Sequence, residues 1–485
     1  MAKHLLLLAS AFTYRAKAFE DAAQRLGIPV IRGEDVPPPL IGKVRRPLPL
    51  DYRDIPRSAA LIERFAQTTP IGAILGLDDS GTLLAAAASE RIDLPHNSPD
   101  ATLAARDKHL MRQKFAQAGV PSPNFHHHFL DEDLPAIAAR TRYPCVIKPT
   151  TLAGSRGVMR ANNPTEFLAR AARLRAILAT EPCQEFLVED FIPGVEVALE
   201  GLMDYGKLHI LALFDKPDPL DGPFFEETIY VTPSRLPAAT QTAITQVAER
   251  AAAALGLVTG PIHAELRINL DGSRLSGGLA KLKPADDERT LSGGESGGFA
   301  KSNPADDERT LSGGESGGFA KSKPADDERT LSGGESGGFA KSNPAVEGPI
   351  MVEIAARSIG GSCSKTLRFD LDTSLEELII RQAFQLPLTN HESLTTSSGV
   401  MMIPIPRTGL LTRLDGLEAA SRVPLITEIE ITAQLNQRIK AIPEGDSYLG
   451  FIFARGDSPA AVESALRQAH SLLKIEIIEE LQLIP

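Results

Sequence analysis

The sequence predicts an α/β protein, an open parallel sheet followed by mixed α+β lobes, and three observations carry that reading. At the N-terminus an apolar strand (4–9), an amphipathic helix (16–26) and a second strand (28–31) follow one another, the β-α-β start of a parallel sheet. Short strands then alternate with capped helices. Finally, two strands of period-2 alternation, 262–268 and 350–357, each place one glutamate on the non-aliphatic face, the pattern of half-buried strands.

A chain of 485 residues, 42% apolar and 23% charged, can bury a large core and divide into two to four domains. The net charge of −11 speaks against nucleic-acid and membrane-surface partners. Three widely spaced cysteines, Cys145, Cys183 and Cys363, form no metal motif and fit a reducing, cytoplasmic setting. The N-terminal twelve residues imitate a secretory leader, but the uninterrupted apolar run covers only 5–9, so a buried first strand is expected. No run is long enough to span a bilayer.

Along the chain, 71–77 reads as another apolar strand ending in Asp78-Asp79-Ser80-Gly81, and the Pro- and Arg-rich stretch 42–56 reads as irregular. Ser98-Pro99 starts a helical region, with a helix expected from about 103 to 118, closed by Gly119 and carrying Lys108. His126-His127-His128 resembles a metal tract, but strand alternation would split the three across both faces. The strand 144–149 ends in Lys148-Pro149 and runs into a small-residue loop, 150–158, whose free N–H groups can fold over phosphate oxygens. Asn163 and Glu166 form a capping box for a helix with the stripe Phe167, Ala171, Leu174 and Leu178. Residues 186–200 read as two strands about Pro193-Gly194, with Glu196 and Glu200 on one face. A strand over 208–214, a long polar loop to 227 and a helix over 238–255 lead to the first acidic strand. If the acidic strands pair antiparallel, Glu265 and Glu353 lie about 5 Å apart. Carboxylates that close call for a cation, and a hard divalent ion suits oxygen ligands.

Between the acidic strands a 20-residue unit starting at Ala285 recurs at Ala305 and Ala325, differing only at Lys323. Each unit offers only one Leu and one Phe as large apolar residues, too little to offset about 1–2 kcal/mol of backbone entropy per ordered residue. The span 273–345 is therefore expected to be disordered. Its Leu-Ser-Gly-Gly-Glu segment resembles the signature of ABC transporter ATPases, but the chain has no matching Walker A sequence, and the match is taken as chance. Lengthening a turn from about five to about eighty residues costs roughly 2.4 kcal/mol of closure entropy, and Asp271-Gly272 is a hairpin-turn pair at its start.

The order of these motifs resembles the ATP-grasp superfamily of carboxylate–amine ligases, in particular L-amino acid ligases, outside the repeat. The resemblance implies a pre-ATP-grasp domain (1–97), an ATP-grasp domain (98–392) interrupted by the repeat, and a C-terminal ligase lobe (393–485). It implies that Lys108 and Lys148 hold ATP phosphates, and that the loop bearing Ser155 and Gly157 closes over them. Glu189, Asp190 and Ile192 match the hinge at the adenine, Glu196 the ribose carboxylate, Glu265 and Glu353 the Mg2+ ligands (Mn2+ as alternative), and Arg357 the arginine at the acyl-phosphate. Ala355 stands where many members have Asn. The expected substrates are a small-molecule carboxylate and an amine, with a homodimer as the family-level expectation. A bicarbonate-activating carboxylase-like enzyme and a non-catalytic ATP-binding protein impaired by the repeat are the alternatives. Replacing 273–345 by a short turn is expected to leave a folded, ATP-binding protein. A thermal melt and a nucleotide titration check this, and loss of either would count against the reading of the repeat as a lengthened turn.

Overall fold

The computed structural model describes residues 2–10, 13, 15–36, 48–269, 348–360, 362–369, 373–388 and 396–479. These belong to one compact unit, and the second unit, Asp271–Ala345, lies with the repeat and its flanking turn pair outside the described residues.

The N-terminal sheet is parallel, in the spatial order Leu48–Leu50, Val30–Asp35, His4–Ala9, Ile71–Gly76. Leu5 to Leu8 are fully buried, as a central parallel strand covered on both faces requires. The helix Ala16–Arg25 follows as expected. The stretch read as irregular instead holds the strand Leu48–Leu50 and the start of the helix Ile55–Ala66, which Asp54 caps by accepting from the Arg57 N–H. Proline density misled there, because Pro56 occupies a first-turn position that needs no N–H donor.

The expected helix from 103 to 118 is two helices, Pro99–Arg106 and Lys108–Ala118. Asp107 breaks them: its backbone is extended and its carboxylate accepts from the N–H groups of His109 and Leu110. The break makes Lys108 the first residue of a new helix, and its backbone N–H donates to the Thr150 carbonyl at 2.8 Å.

A four-stranded antiparallel lobe has the order Phe125–Phe129, Glu185–Asp190, Cys145–Pro149, Met159–Ala161. The helix Pro164–Leu178 packs on it through Phe167, Ala171, Leu174 and Leu178, the stripe read from the sequence.

The largest sheet has eight strands in the order Pro349–Ala355, Gly260–Ile268, Val195–Asp204, Lys207–Lys216, Ile229–Thr232, Ser397–Ile403, Gly450–Gly456, Ile426–Ile431. It runs without interruption from the acidic strands into the C-terminal region. The helix Leu375–Ala383 lies in a core shared by this sheet and the N-terminal sheet, with Leu378, Phe214, Leu5 and Phe451 among its members. Strands Gly409–Asp415 and Lys474–Ile478, not foreseen, pair beside it in a separate three-stranded sheet. No described helix is long and apolar enough to cross a membrane.

The acidic strands pair antiparallel with Glu265 opposite Glu353. Strict alternation fails in the second strand. The register slips after Glu265, so that Leu266 faces Met351 and Val352 is left over, a β-bulge. Met351, expected beside Glu353, is fully buried, whereas Val352 and Glu353 both line the cleft. The buried Arg112 donates to the Val352 carbonyl at 2.7 Å, and the Met351 N–H donates to the Pro121 carbonyl at 2.8 Å. Asp107→Ala is expected to lower stability by about 1 kcal/mol, measured by urea denaturation. No change would mean that the cap does not fix the helix start.

Candidate active site

A cleft of about 1100 Å³ opens between the four-stranded lobe and the eight-stranded sheet, with the N-terminal sheet at one end and the C-terminal region along its side. All the residues predicted for the site except Gly157 line it. Gly157 lies beneath the loop: its N–H donates to the Pro443 carbonyl at 2.9 Å, and its φ of +76° is one glycine adopts without strain.

Lys108 and Lys148 are buried and reach the same region from different elements. The Lys108 ammonium donates to the Leu152 carbonyl at 2.8 Å and stands 3.2 Å from Glu353. Lys148 pairs with Glu189 at 2.7 Å, and Arg112 stands 2.8 Å from the same carboxylate. Burial and then the Arg112 charge pull the Lys148 ammonium down to about 8, against the attraction of Glu189. Burial would raise Glu189, but Arg112 and Lys148 hold it below the usual carboxylate range. The Glu189 side chain thus faces the lysines, while Asp190 turns outward to the Asn124 amide at 2.8 Å. Beyond them Phe191 and Phe225 face each other at 6.5 Å, with the Arg160 guanidinium 4.0 Å from the Phe191 ring centre. Ile192, Val146 and Leu220 extend this apolar end.

Glu265 and Glu353 stand opposite each other on the paired strands and both line the cleft, but they meet different cations. Glu353 faces Lys108, whereas Glu265 belongs to a separate group with Glu196 and Glu227, whose carboxylate oxygens lie within 4.8 Å of one another. The buried Lys216 ammonium sits among them, 2.8 Å from Glu196, 3.0 Å from Glu265 and in contact with Glu227. Burial alone would lower Lys216; the three carboxylates hold it well above its ordinary value. Burial likewise opposes the charge on Glu265, but Lys216 and the His263 hydrogen bond hold Glu265 well below the usual carboxylate range. Glu227 is raised, by burial first and then by Glu265. Glu196 also meets Arg267 at 3.3 Å.

His263 was not singled out in the sequence. It stands 2.6 Å from Glu200 and 3.5 Å from Glu265. Although burial opposes its charge, the two glutamates raise it to about 9, so the imidazole is an imidazolium at neutral pH. Glu200, fully buried, also accepts from the Ile359 N–H at 3.1 Å and so fixes the loop after the second acidic strand. Period-2 alternation could have found His263, since it places it on the Glu265 face. Lys216 had a signal too: Asp215-Lys216-Pro217 repeats the strand-then-Lys-Pro form of Ile147-Lys148-Pro149. Arg357 makes a two-pronged ion pair with Asp79, both bonds 2.9 Å, and Arg15 donates to the Ser358 hydroxyl at 2.6 Å. Asp79 follows the end of a parallel strand, where α/β sheets place their ligand-binding groups.

The small-residue loop is tied to the C-terminal region. Besides the Gly157 bond, the Arg156 Nε donates to the Glu444 carbonyl at 3.3 Å, and Arg173 on the underlying helix pairs with the Glu444 carboxylate, one bond of 2.7 Å. Cys363, also in the cleft, is buried and its thiol is raised, chiefly by that burial.

Known proteins match this arrangement in three places. Residues 19–96 match the ATP-grasp N-terminal domain, 141–280 the ATP-grasp domain, and 401–477 the L-amino acid ligase C-terminal domain 2. The alanine–anticapsin ligase of Bacillus subtilis strain 168 is 29% identical over 205 residues, 38% of this chain and 42% of that protein. A D-alanine–D-alanine ligase of Aromatoleum aromaticum is 29% identical over 177 residues, 36% of this chain and 54% of that protein. The matched region thus spans about half or less of each curated relative. The crystal structure of an L-amino acid ligase from Bacillus licheniformis superposes with a TM-score of 0.71 at 21% identity, covering 99% of both chains. The chain thus carries an ATP-grasp N-terminal domain and an ATP-grasp domain, and its overall fold is that of the ligase structure. Its residues 401–477 match the C-terminal domain of L-amino acid ligases.

Lys216→Met would leave three carboxylates facing one another without their shared cation. A loss of about 3–5 kcal/mol is expected in chemical denaturation at neutral pH. An unchanged midpoint would show that the carboxylates relax without it.

Proposed function

We propose that the chain is an ATP-dependent carboxylate–amine ligase that works through an acyl-phosphate and joins amino acids. The observation that carries the reading is the convergence of Lys108 and Lys148 with Glu265 and Glu353 in one cleft, with Arg357 also lining it and the buried Lys216 backing Glu265 at 3.0 Å. A carboxylate does not acylate an amine at neutral pH, because its leaving group is poor. Phosphoryl transfer from ATP supplies a better one. Both steps crowd negative charge, which positioned cations must offset in a closed site.

In this reading the apolar end at Ile192, Phe191 and Phe225 takes the adenine, and Lys108 and Lys148 hold phosphate oxygens beneath the loop bearing Ser155 and Gly157. Glu189 and Asp190 form the hinge, with the Glu189 side chain steadying Lys148. Glu196 takes the ribose hydroxyls. The oxygen-only donors Glu265 and Glu353, with Glu227 beside them, suit Mg2+, or Mn2+ in its place. Ala355 adds no side-chain oxygen, so the donor set rests on glutamates. When bound there, the metal would supply positive charge that offsets the charge building up during phosphoryl transfer. Arg357, braced by Asp79, faces the acyl group, and the His263 imidazolium adds positive charge next to Glu265. The repertoire of relatives named as amino-acid ligases supports amino acids as substrates, and the homodimer is carried as part of the same reading.

Amino-acid-stimulated release of ADP across a panel of amino acids tests the proposal. Turnover with bicarbonate alone would favour a carboxylase-like reaction, and ATP binding without turnover a non-catalytic protein. Glu353→Gln is expected to lower kcat by about 100-fold or more while the fold, followed by its melting curve, is kept. Intact turnover in that variant would overturn the metal assignment.

A further inference from the structure

The triple-histidine strand is a motif that the cleft does not absorb. In Phe125–Phe129 the three imidazoles do alternate across the sheet, but the central one finds partners on other elements. The strand pairs antiparallel with Glu185–Asp190, His127 opposite Leu187 and Phe129 opposite Glu185. Glu185 is therefore the diagonal neighbour of His127 on the same face, and the His127 Nε2 stands 2.7 Å from its carboxylate. From the helix Lys108–Ala118, His109 stacks on His127 with ring centres 3.8 Å apart and planes 19° apart. The donor atoms of His109, His127 and Glu185 all lie within 4.8 Å of one another.

We propose that His109, His127 and Glu185 form a second metal site, one for a Zn2+-class transition ion, separate from the carboxylates of the ATP cleft. Two imidazoles and one carboxylate are a donor set that zinc accepts, with water completing a tetrahedron. None of the three residues lines the cleft. The donor chemistry sorts the two sites, since the cleft offers oxygen alone and suits a hard ion. All three side chains are half-buried, open enough for an ion to enter. The edges of Phe125 and Phe129 lean on His109 and His127 at 6.1 and 5.0 Å. Zinc bonds of about 2.0–2.1 Å put tetrahedral donors about 3.4 Å apart. Because the two rings are stacked, one imidazole would have to turn out of the stack for both to reach a single ion. The Gln113 amide, 3.0 Å from the His109 Nε2, is the partner that such a turn would release.

The ion would brace three elements that carry the cleft. His109 follows Lys108, whose N–H bonds the Thr150 carbonyl, while the Thr150 N–H bonds the Glu185 carbonyl at 3.3 Å. The site thus ties the start of the Lys108 helix to the strand that leads to Glu189 and Asp190. Metal uptake itself does not depend on the ligase reading, so the two can fail separately.

The test uses the full chain with Mg2+ in excess. Zn2+ is titrated calorimetrically, and Co2+ is followed by its visible absorption. Uptake of one Zn2+ and a tetrahedral Co2+ spectrum are expected. His109→Ala and His127→Ala should each weaken Zn2+ binding at least about tenfold, and Glu185→Gln should weaken it as well. His126→Ala and His128→Ala, on the opposite face of the strand, should leave it unchanged. Metal-free melting curves establish that each variant folds, and His127→Asn replaces His127→Ala if the latter does not. No Zn2+ uptake by the parent chain, or uptake indifferent to both His109 and His127, overturns the proposal. So does loss of uptake in the His126 or His128 variants alone.

Discussion

The Lys216 ammonium holds together a site that would otherwise push itself apart. Three carboxylates within 4.8 Å of one another repel strongly in a largely buried setting, where charges are little screened. One buried lysine contacts all three. These glutamates come from three strands or loops of the large sheet, so the contact also determines how Val195–Asp204, Gly260–Ile268 and the loop before Ile229–Thr232 sit at the cleft. Breaking such a group by removing one partner costs far more than the group adds in net stability, which makes it a constraint on the arrangement more than a source of binding energy within the fold.

The same alternation of sign runs outward from that centre. Lys148 and Arg112 flank Glu189, Lys108 faces Glu353, Glu200 holds His263, and Arg357 is clasped by Asp79. Each of these cations is pre-paired with a carboxylate from a different element. The lysines and arginines are therefore already aimed when an anionic ligand arrives, and pre-organised charge is what stabilises phosphoryl and acyl transfer. The Arg173–Glu444 pair and the Gly157–Pro443 bond extend this arrangement to the small-residue loop at the cleft, tying it to the C-terminal region.

Much of this was legible because local rules act on neighbours in sequence. The caps at Ser98 and Asn163 each accept the expected N–H. The aliphatic face of the first acidic strand, Ile262, Ala264, Leu266 and Ile268, is buried as its alternation requires. Where a competing local rule intervened, the reading failed. Asp107 capped a new helix in the middle of an apparently continuous one. The bulge at Val352 broke a period of two, and its cause, the Arg112 donor to a carbonyl left out of the ladder, comes from a helix some 240 residues earlier.

The sequence by itself determined the parallel start, the capped helices, the lysine-ended strand with its loop, and the opposed glutamates on paired strands. All of these follow from periodicity, caps and turns, whose physics spans a few residues. Only the tertiary structure decided which charges meet. It joined Glu265 to Lys216 and His263 and Glu353 to Lys108, turned Glu189 towards Lys148, joined Arg357 to Asp79, and set His109 on His127. Those pairings depend on how strands and helices far apart in the chain pack, and on burial that makes every unpaired charge costly. Neither is written in the spacing of residues along one segment.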